Sequence, residues 1–197
     1  MGIVVLVCIL IWIYLLTVLK RGTLDFFFFL VGSVGIFIFY MILLQPFLTA
    51  PLQKGVAAVA GALGKVTGIY ESYLRHSMIL IRNHGESISL YIDYECSGVI
   101  EIGVFLALLL FFPVYRFYEK ILHGLLGCAY LCVANILRIY IIGLLIYLFG
   151  TPIYYVAHTI VGRIFYYGCS IILYYRIFTK AQIARQKVGN VSYESTD

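Results

Sequence analysis

Residues 121–149 read ILHGLLGCAYLCVANILRIYIIGLLIYLF. A helix needs about 20 apolar residues to cross a hydrocarbon core about 30 Å thick, and this run exceeds that without a proline or an acidic residue. A soluble helix of the same length would carry a broad polar face. Here the strongly polar residues are His123, Asn135 and Arg138. The run therefore reads as a transmembrane helix with an arginine inside it, ended by Gly150-Thr151-Pro152.

The rest of the chain follows the same pattern. Apolar runs over residues 2–19 and 24–44 stop at Lys20-Arg21 and at Gln45-Pro46. Further runs cover 97–115 and 153–178, and a polar tail follows. The chain is 63% hydrophobic and 12% charged, whereas soluble domains average near half apolar and about a quarter charged. Such a chain in water would expose apolar surface that it has no polar surface to cover. The expected class is an all-α polytopic membrane protein. It forms one membrane-embedded domain over residues 1–197, a bundle of about five to six transmembrane helices. The first run is long, and no small-residue cleavage site precedes Lys20, so it is expected to stay as a span rather than be removed as a signal peptide.

The stretch 51–95 is less apolar. Residues 56–70 are rich in Ala and Gly and read as a short interfacial or re-entrant helix, or as an extra span. In 78–94, Ser87, Ser89, Tyr91 and Asp93 alternate with Ile88, Leu90, Ile92 and Tyr94, and Asn83-His84-Gly85 supplies a turn. That is the period of a hairpin strand.

The net charge of +5 does not point to nucleic acid, because the basic residues flank apolar runs. They read as topology signals. Lys20, Arg21, Arg116, Lys120, Arg176, Lys180, Arg185 and Lys187 fall on one side. Lys54, Lys65, Arg75 and Arg82 fall on the other, spread over a longer stretch. The first side is expected to be cytoplasmic. Five spans then put the N-terminus outside, the C-terminus inside, and the extended segment with Cys96 at the outer face of the cell membrane.

Arg138 lies too far from either end of its run to be a flanking charge. An arginine near a helix centre costs about 2.5–3.5 kcal/mol on insertion scales. It must face a protein interior or a wet cavity, and Asn135 shares its helix face. The structural alternative is a buried ion pair that pins two helices. His158 lies about 9 Å into the last run at 1.5 Å per residue, with Gly162 one turn on to admit a neighbouring helix. Cys96, in Tyr94-Glu95-Cys96-Ser97-Gly98, opens the third run. A thiol at a helix N-terminus is biased toward thiolate. Gly98 leaves room for another backbone. Glu95 reads as solvated or as a complement to the helix dipole. Glu101 is deeper and can pair with Arg163 or Arg138. Cys8, Cys128, Cys132 and Cys169 lie in apolar runs, and the odd count without CxxC spacing gives neither a disulfide framework nor a zinc signature. Nothing suggests a metal or an organic cofactor.

Thiol, guanidinium and imidazole, one from each of three spans, make a set suited to cysteine acyl transfer. The thiolate attacks an amide, the imidazole moves the proton, and the cation stabilises the oxyanion. These residues stand in wording that resembles the exosortase and archaeosortase family of membrane transpeptidases. The matching pieces are Glu95-Cys96-Ser97-Gly98, then Asn135-Ile136-Leu137-Arg138-Ile139 with Gly143, then His158 with Gly162 and Phe165. The resemblance implies Cys96 as nucleophile, Arg138 as stabilising cation and His158 as base, with a histidine in the third place as in bacterial members. It implies protein substrates that carry a C-terminal motif, a hydrophobic helix and a basic tail; membrane lipid is the other expected partner, and the placement of the basic residues speaks against nucleic acid. The short chain looks like the compact type of Gram-positive bacteria. Two other readings stand beside it. One is a non-catalytic subunit of an export or polysaccharide assembly system, and the other is a small transporter that uses its buried Arg and His.

Overall fold

The computed structural model describes residues 2–73, 78–83, 86–92 and 94–189. Four helical runs are long and apolar enough to cross a membrane: Ile3–Arg21, Asp25–Thr67, Phe117–Phe149 and Thr151–Ala184. A shorter apolar helix covers Val99–Phe111. The chain is a multi-pass, all-α membrane protein with one small sheet.

Helix α1 (Gly2–Arg21) lies on the outside of the bundle, packed on α2 (Asp25–Phe39). Two glycines of α2 make the contacts close. A Cβ on Gly35 would fall 1.9 Å from Trp12 Nε1, and one on Gly32 would fall 2.3 Å from the Phe111 ring. Trp12 Nε1 donates to Val31 O at 3.0 Å, which satisfies a polar group that lipid could not.

The stop expected at Gln45-Pro46 is absent. Helix α2 runs through a π turn (Tyr40–Leu44) into α3 (Gln45–Thr67), one rod of 43 residues. Proline at the first turn of a helical segment loses only an N–H that would go unpaired there. The wider π turn before Pro46 supplies such a start. At 1.5 Å per residue the rod is about 65 Å long, twice the hydrocarbon thickness. Residues 56–70 are thus no separate interfacial helix, because up to Thr67 they are the upper part of this rod. Their Gly and Ala content has another cause. A Cβ on Gly61 would lie 2.2 Å from Ser72 Cβ, and one on Gly64 2.3 Å from the Tyr70 ring. Small residues there let a sheet lie flat on the helix.

That sheet is antiparallel, in the order β1 (Tyr70–Tyr73), β2 (Met78–Asn83), β3 (Glu86–Tyr91). The expected hairpin is β2–β3, with Ile79 opposite Leu90 and Ile81 opposite Ile88. Strand β1 was not expected. His84 and Gly85, expected in the turn, and Asp93, expected in the alternating stretch, lie outside the described residues. Ile79, Ile81, Leu90 and Ile92 pack with Val56, Ala57 and Ala60 of α3 and with Ile139, Ile142 and Ile146.

Helix α4 (Val99–Phe111) is shorter than the run expected over 97–115. Pro113 disfavours helical geometry in the residue before it, and Phe112 is extended, with ψ 122°. Lys120 Nζ donates to Leu110 O at 2.6 Å, so a carbonyl at the freed helix end is satisfied. Helix α5 (Phe117–Phe149) begins with the Arg116 amide donating to Glu119 Oε2 at 2.8 Å. The last rod opens with a single 3₁₀ turn (Thr151–Ile153) and contains a π segment (Val156–Val161), α6 (Gly162–Tyr174), a second π segment (Tyr175–Thr179) and α7 (Lys180–Gly189). It continues helically through residues the sequence assigned to a polar tail. A second core, with Phe105, Leu131, Ala134, Tyr166 and Leu173, fills the middle of the bundle.

Candidate active site

The seam between the two cores holds the polar residues. Tyr94 to Gly98 form a turn between the sheet and α4. Gly98 has φ +78°, a left-handed conformation that side chains with a Cβ adopt only at a cost. The room expected at Gly98 for another backbone is taken instead by side chains. The Tyr166 hydroxyl and the Asn135 amide lie 3.3 and 3.5 Å from where a Cβ would stand. Ser97 Oγ donates to Tyr94 O at 2.6 Å and accepts from the Val99 amide at 3.3 Å. Ser97 therefore stabilises the turn. The Tyr40 hydroxyl, from the π turn, donates to Val99 O at 2.9 Å.

This turn places Cys96 two residues before the Gly98 cap, so the thiol precedes α4 rather than opening it. Cys96 is 3% exposed. Its Sγ lies 3.2 Å from His158 Nε2, and Arg138 Nη2 is 3.9 Å from the same sulfur. Asn135 Nδ2 donates to Cys96 O at 2.7 Å. Asn135, one turn before Arg138 on α5, thus holds the backbone of the residue whose sulfur Arg138 faces.

Arg138 is 5% exposed. Its guanidinium carbon sits 5.6 Å from the centroid of the Tyr166 ring, a cation–π placement. Its Nε has no hydrogen-bond partner among the described residues. His158 lies in the π segment, with its ring stacked on Tyr154 at 5.8 Å and 11°. Gly162 lets this rod close on α5, since a Cβ there would lie 2.7 Å from Ile142 Cδ1. Gly143 does the same for the Tyr70 ring, 2.8 Å from its Cβ position.

Arg163 Nη2 lies 3.7 Å from Glu95 Oε2, both side chains about half exposed. Glu95 is therefore ion-paired as well as solvated. Glu101 Oε2 is buried and lacks a hydrogen-bond partner among the described residues. Glu95, Glu101, Arg138, Arg163, Ile100 and Tyr167 line a cavity of about 310 Å³. Among the described residues no group of three His, Cys, Asp or Glu side chains is placed to hold a metal ion. None of the five cysteines is in a disulfide.

The family model described as Transmembrane exosortase matches residues 1–175. The chain belongs to the transmembrane exosortase family. No curated protein and no solved structure gives a match.

In this exosortase-family chain, the sequence singled out Cys96 in a polar turn and Asn135, Arg138 and His158 in apolar runs, and the structure brings the four together. Sequence reasoning missed Tyr40, Tyr154 and Tyr166, which contact the site or its turn. With 18 tyrosines in the chain, their residue type carries no signal. Only the fold distinguishes a tyrosine under a guanidinium from one facing lipid.

Proposed function

We propose that the protein is a membrane cysteine transpeptidase. It cleaves a C-terminal sorting signal of exported proteins at the outer face of the membrane and passes the acyl group to a surface acceptor. The observation that carries this reading is one sulfur with an imidazole nitrogen at 3.2 Å and a buried guanidinium nitrogen at 3.9 Å.

The chemistry follows from that arrangement. His158 takes the Cys96 proton, and the thiolate that forms lies beside a fixed cation. The sulfur bonds to the scissile carbonyl carbon and the π electrons move onto oxygen. Nε and Nη2 share one edge of the guanidinium, a two-donor fork suited to an oxyanion. Burial keeps that charge weakly screened. The imidazolium returns its proton to the departing amine as the C–N bond breaks, leaving a thioester. The acceptor then attacks the thioester carbon and His158 takes the acceptor's proton; the C–S bond breaks to release the thiolate, and the imidazolium returns that proton to the sulfur to regenerate the thiol.

Helix lengths support the outer-face placement. Arg138 lies 21 residues beyond Phe117 (138 − 117), and His158 lies 22 residues before Lys180 (180 − 158). Both distances are about 32 Å at 1.5 Å per residue, close to a full hydrocarbon thickness. With the basic ends of both helices cytoplasmic, the site falls at the opposite boundary. A substrate anchored by its own helix would present its cleavage site there, and confinement to the membrane replaces a deep soluble cleft in orienting it.

The test is co-expression with a protein ending in a motif, an apolar helix and a basic tail. Cys96→Ala abolishes processing while the protein stays inserted in the membrane. Ala at Cys8, Cys128, Cys132 or Cys169 leaves processing intact. Normal processing by Cys96→Ala rejects the assignment.

A further inference from the structure

The nucleophile's turn is fed by an edge strand. β3 is the last strand of the sheet and pairs only with β2 among the described residues. Five residues beyond its end, at most about 17 Å of extended chain, stands Cys96. The register pairs Asn83 with Glu86, and a two-residue connection closes on a hydrogen-bonded pair. The backbone groups of Ile88 and Leu90 therefore point to β2, and those of Ser89 and Tyr91 point to the free edge. Side chains alternate in the perpendicular direction. Leu90 and Ile92 are buried, while Ser89 and Tyr91 face outward.

From these features we propose that the free edge of β3 binds the scissile segment of the substrate as a fourth strand, delivering its cleavage site to Cys96. This rests on the reading of the protein as a transpeptidase and specifies how it holds its substrate. The occupant is an extended polypeptide joining a membrane helix to an exported domain. Such a segment at the lipid–water boundary has backbone N–H and C=O groups that lipid does not satisfy. An open strand edge satisfies them without regard to side chain. The short strand and its polar outer face also suit an edge that must stay soluble when empty. An extended conformation also exposes the peptide carbonyl, which the sulfur must reach.

The probe is the C-terminal segment of an exported protein from the same genome that ends in a motif, an apolar helix and a basic tail. Single cysteines are walked through its residues just outside the helix. The partner is the full chain with Cys96→Ala and the other cysteines replaced by alanine, carrying Ser89→Cys, Leu90→Cys or Tyr91→Cys. Oxidation in membranes is expected to give adducts from Ser89→Cys and Tyr91→Cys with every second probe position. Leu90→Cys gives none, because its side chain points into the core. Equal adducts at all probe positions, no adduct, or a Ser89→Cys dimer in place of a probe adduct overturns the inference; the last assigns the edge to a second copy. Ser89→Pro removes one edge donor and is expected to lower processing about tenfold. Alkylation of Cys96 by iodoacetamide at an unchanged rate shows that Ser89→Pro is folded. Wild-type processing by Ser89→Pro also overturns the inference. The cross-links need no catalysis. Cys96-dependent cleavage of the probe without the alternating pattern therefore defeats this inference alone, and absence of cleavage by the intact chain defeats the transpeptidase reading.

Discussion

A guanidinium facing lipid would be expensive, yet Arg138 is buried with its nitrogen aimed at a thiol and its face on an aromatic ring. Lysine could keep the charge there but not the two-donor edge of the guanidinium. Arg138→Lys is expected to reduce processing about a hundredfold, the scale of losing one oxyanion donor. Unchanged membrane levels and Cys96 alkylation would show that the fold survives, and near-normal turnover would contradict the role. The Glu95–Arg163 pair is a contrast. Both groups are about half exposed, so Glu95→Gln should change stability in detergent by no more than about 0.5 kcal/mol, as read by thermal unfolding. At Gly98 the requirement is conformational. Gly98→Ala should destabilise by about 1 kcal/mol and lower processing, because the φ of +78° shapes the turn that carries Cys96. The sequence displayed Arg138 and His158 because such groups are rare in apolar runs, and Cys96 because it alone of the five cysteines stands in a polar stretch. It could not display Tyr166, whose importance is positional.

Helical irregularity sets the geometry of the elements. His158 lies in a π segment, Val156–Val161, and a π turn holds one residue more than an α turn. Deleting Ile160, which is 46% exposed, should restore α pairing and rotate His158 by about 100° against α6. The deletion variant should insert normally and lose processing, whereas Ile160→Ala should keep it. Retained processing by the deletion would show that the π geometry is dispensable. Tyr70, in β1, ties the sheet to α3 through a 2.8 Å bond from its hydroxyl to Ala60 O. Burial, with a smaller contribution from Tyr140, pushes its pKa up to about 12. The folded state thus holds this proton more tightly than the unfolded state does. The contribution is fully present below pH 10 and is lost as pH rises through about 12. Tyr70→Phe should weaken that alkaline loss, measured as the change in melting temperature between pH 9 and 11.5. None of the π turns was legible in the sequence, since no residue pattern marks them. The helix end at Phe112 was legible in principle from Pro113. The continuation through Pro46 was not, because it depends on the π turn before it.

For the whole molecule, the distribution of Lys and Arg predicts an outer N-terminus and a cytoplasmic C-terminus. A C-terminal fluorescent reporter that folds only in the cytoplasm should therefore light up. A cysteine introduced at Gly2 in the chain lacking its native cysteines should react with an impermeant maleimide from outside. The reverse pattern would place the site on the wrong face for exported substrates. By itself the sequence determined that this chain lives in a membrane, and which few polar residues need an explanation there. Both follow from transfer energies, which act on each run or residue without reference to distant partners. Only the tertiary structure decided that residues 25–67 are one rod, that β1 completes a sheet on its glycines, and that Cys96, Arg138 and His158 share one seam. Those outcomes depend on contacts between segments far apart in the chain, where close packing selects among helix faces and registers that hydropathy leaves equivalent.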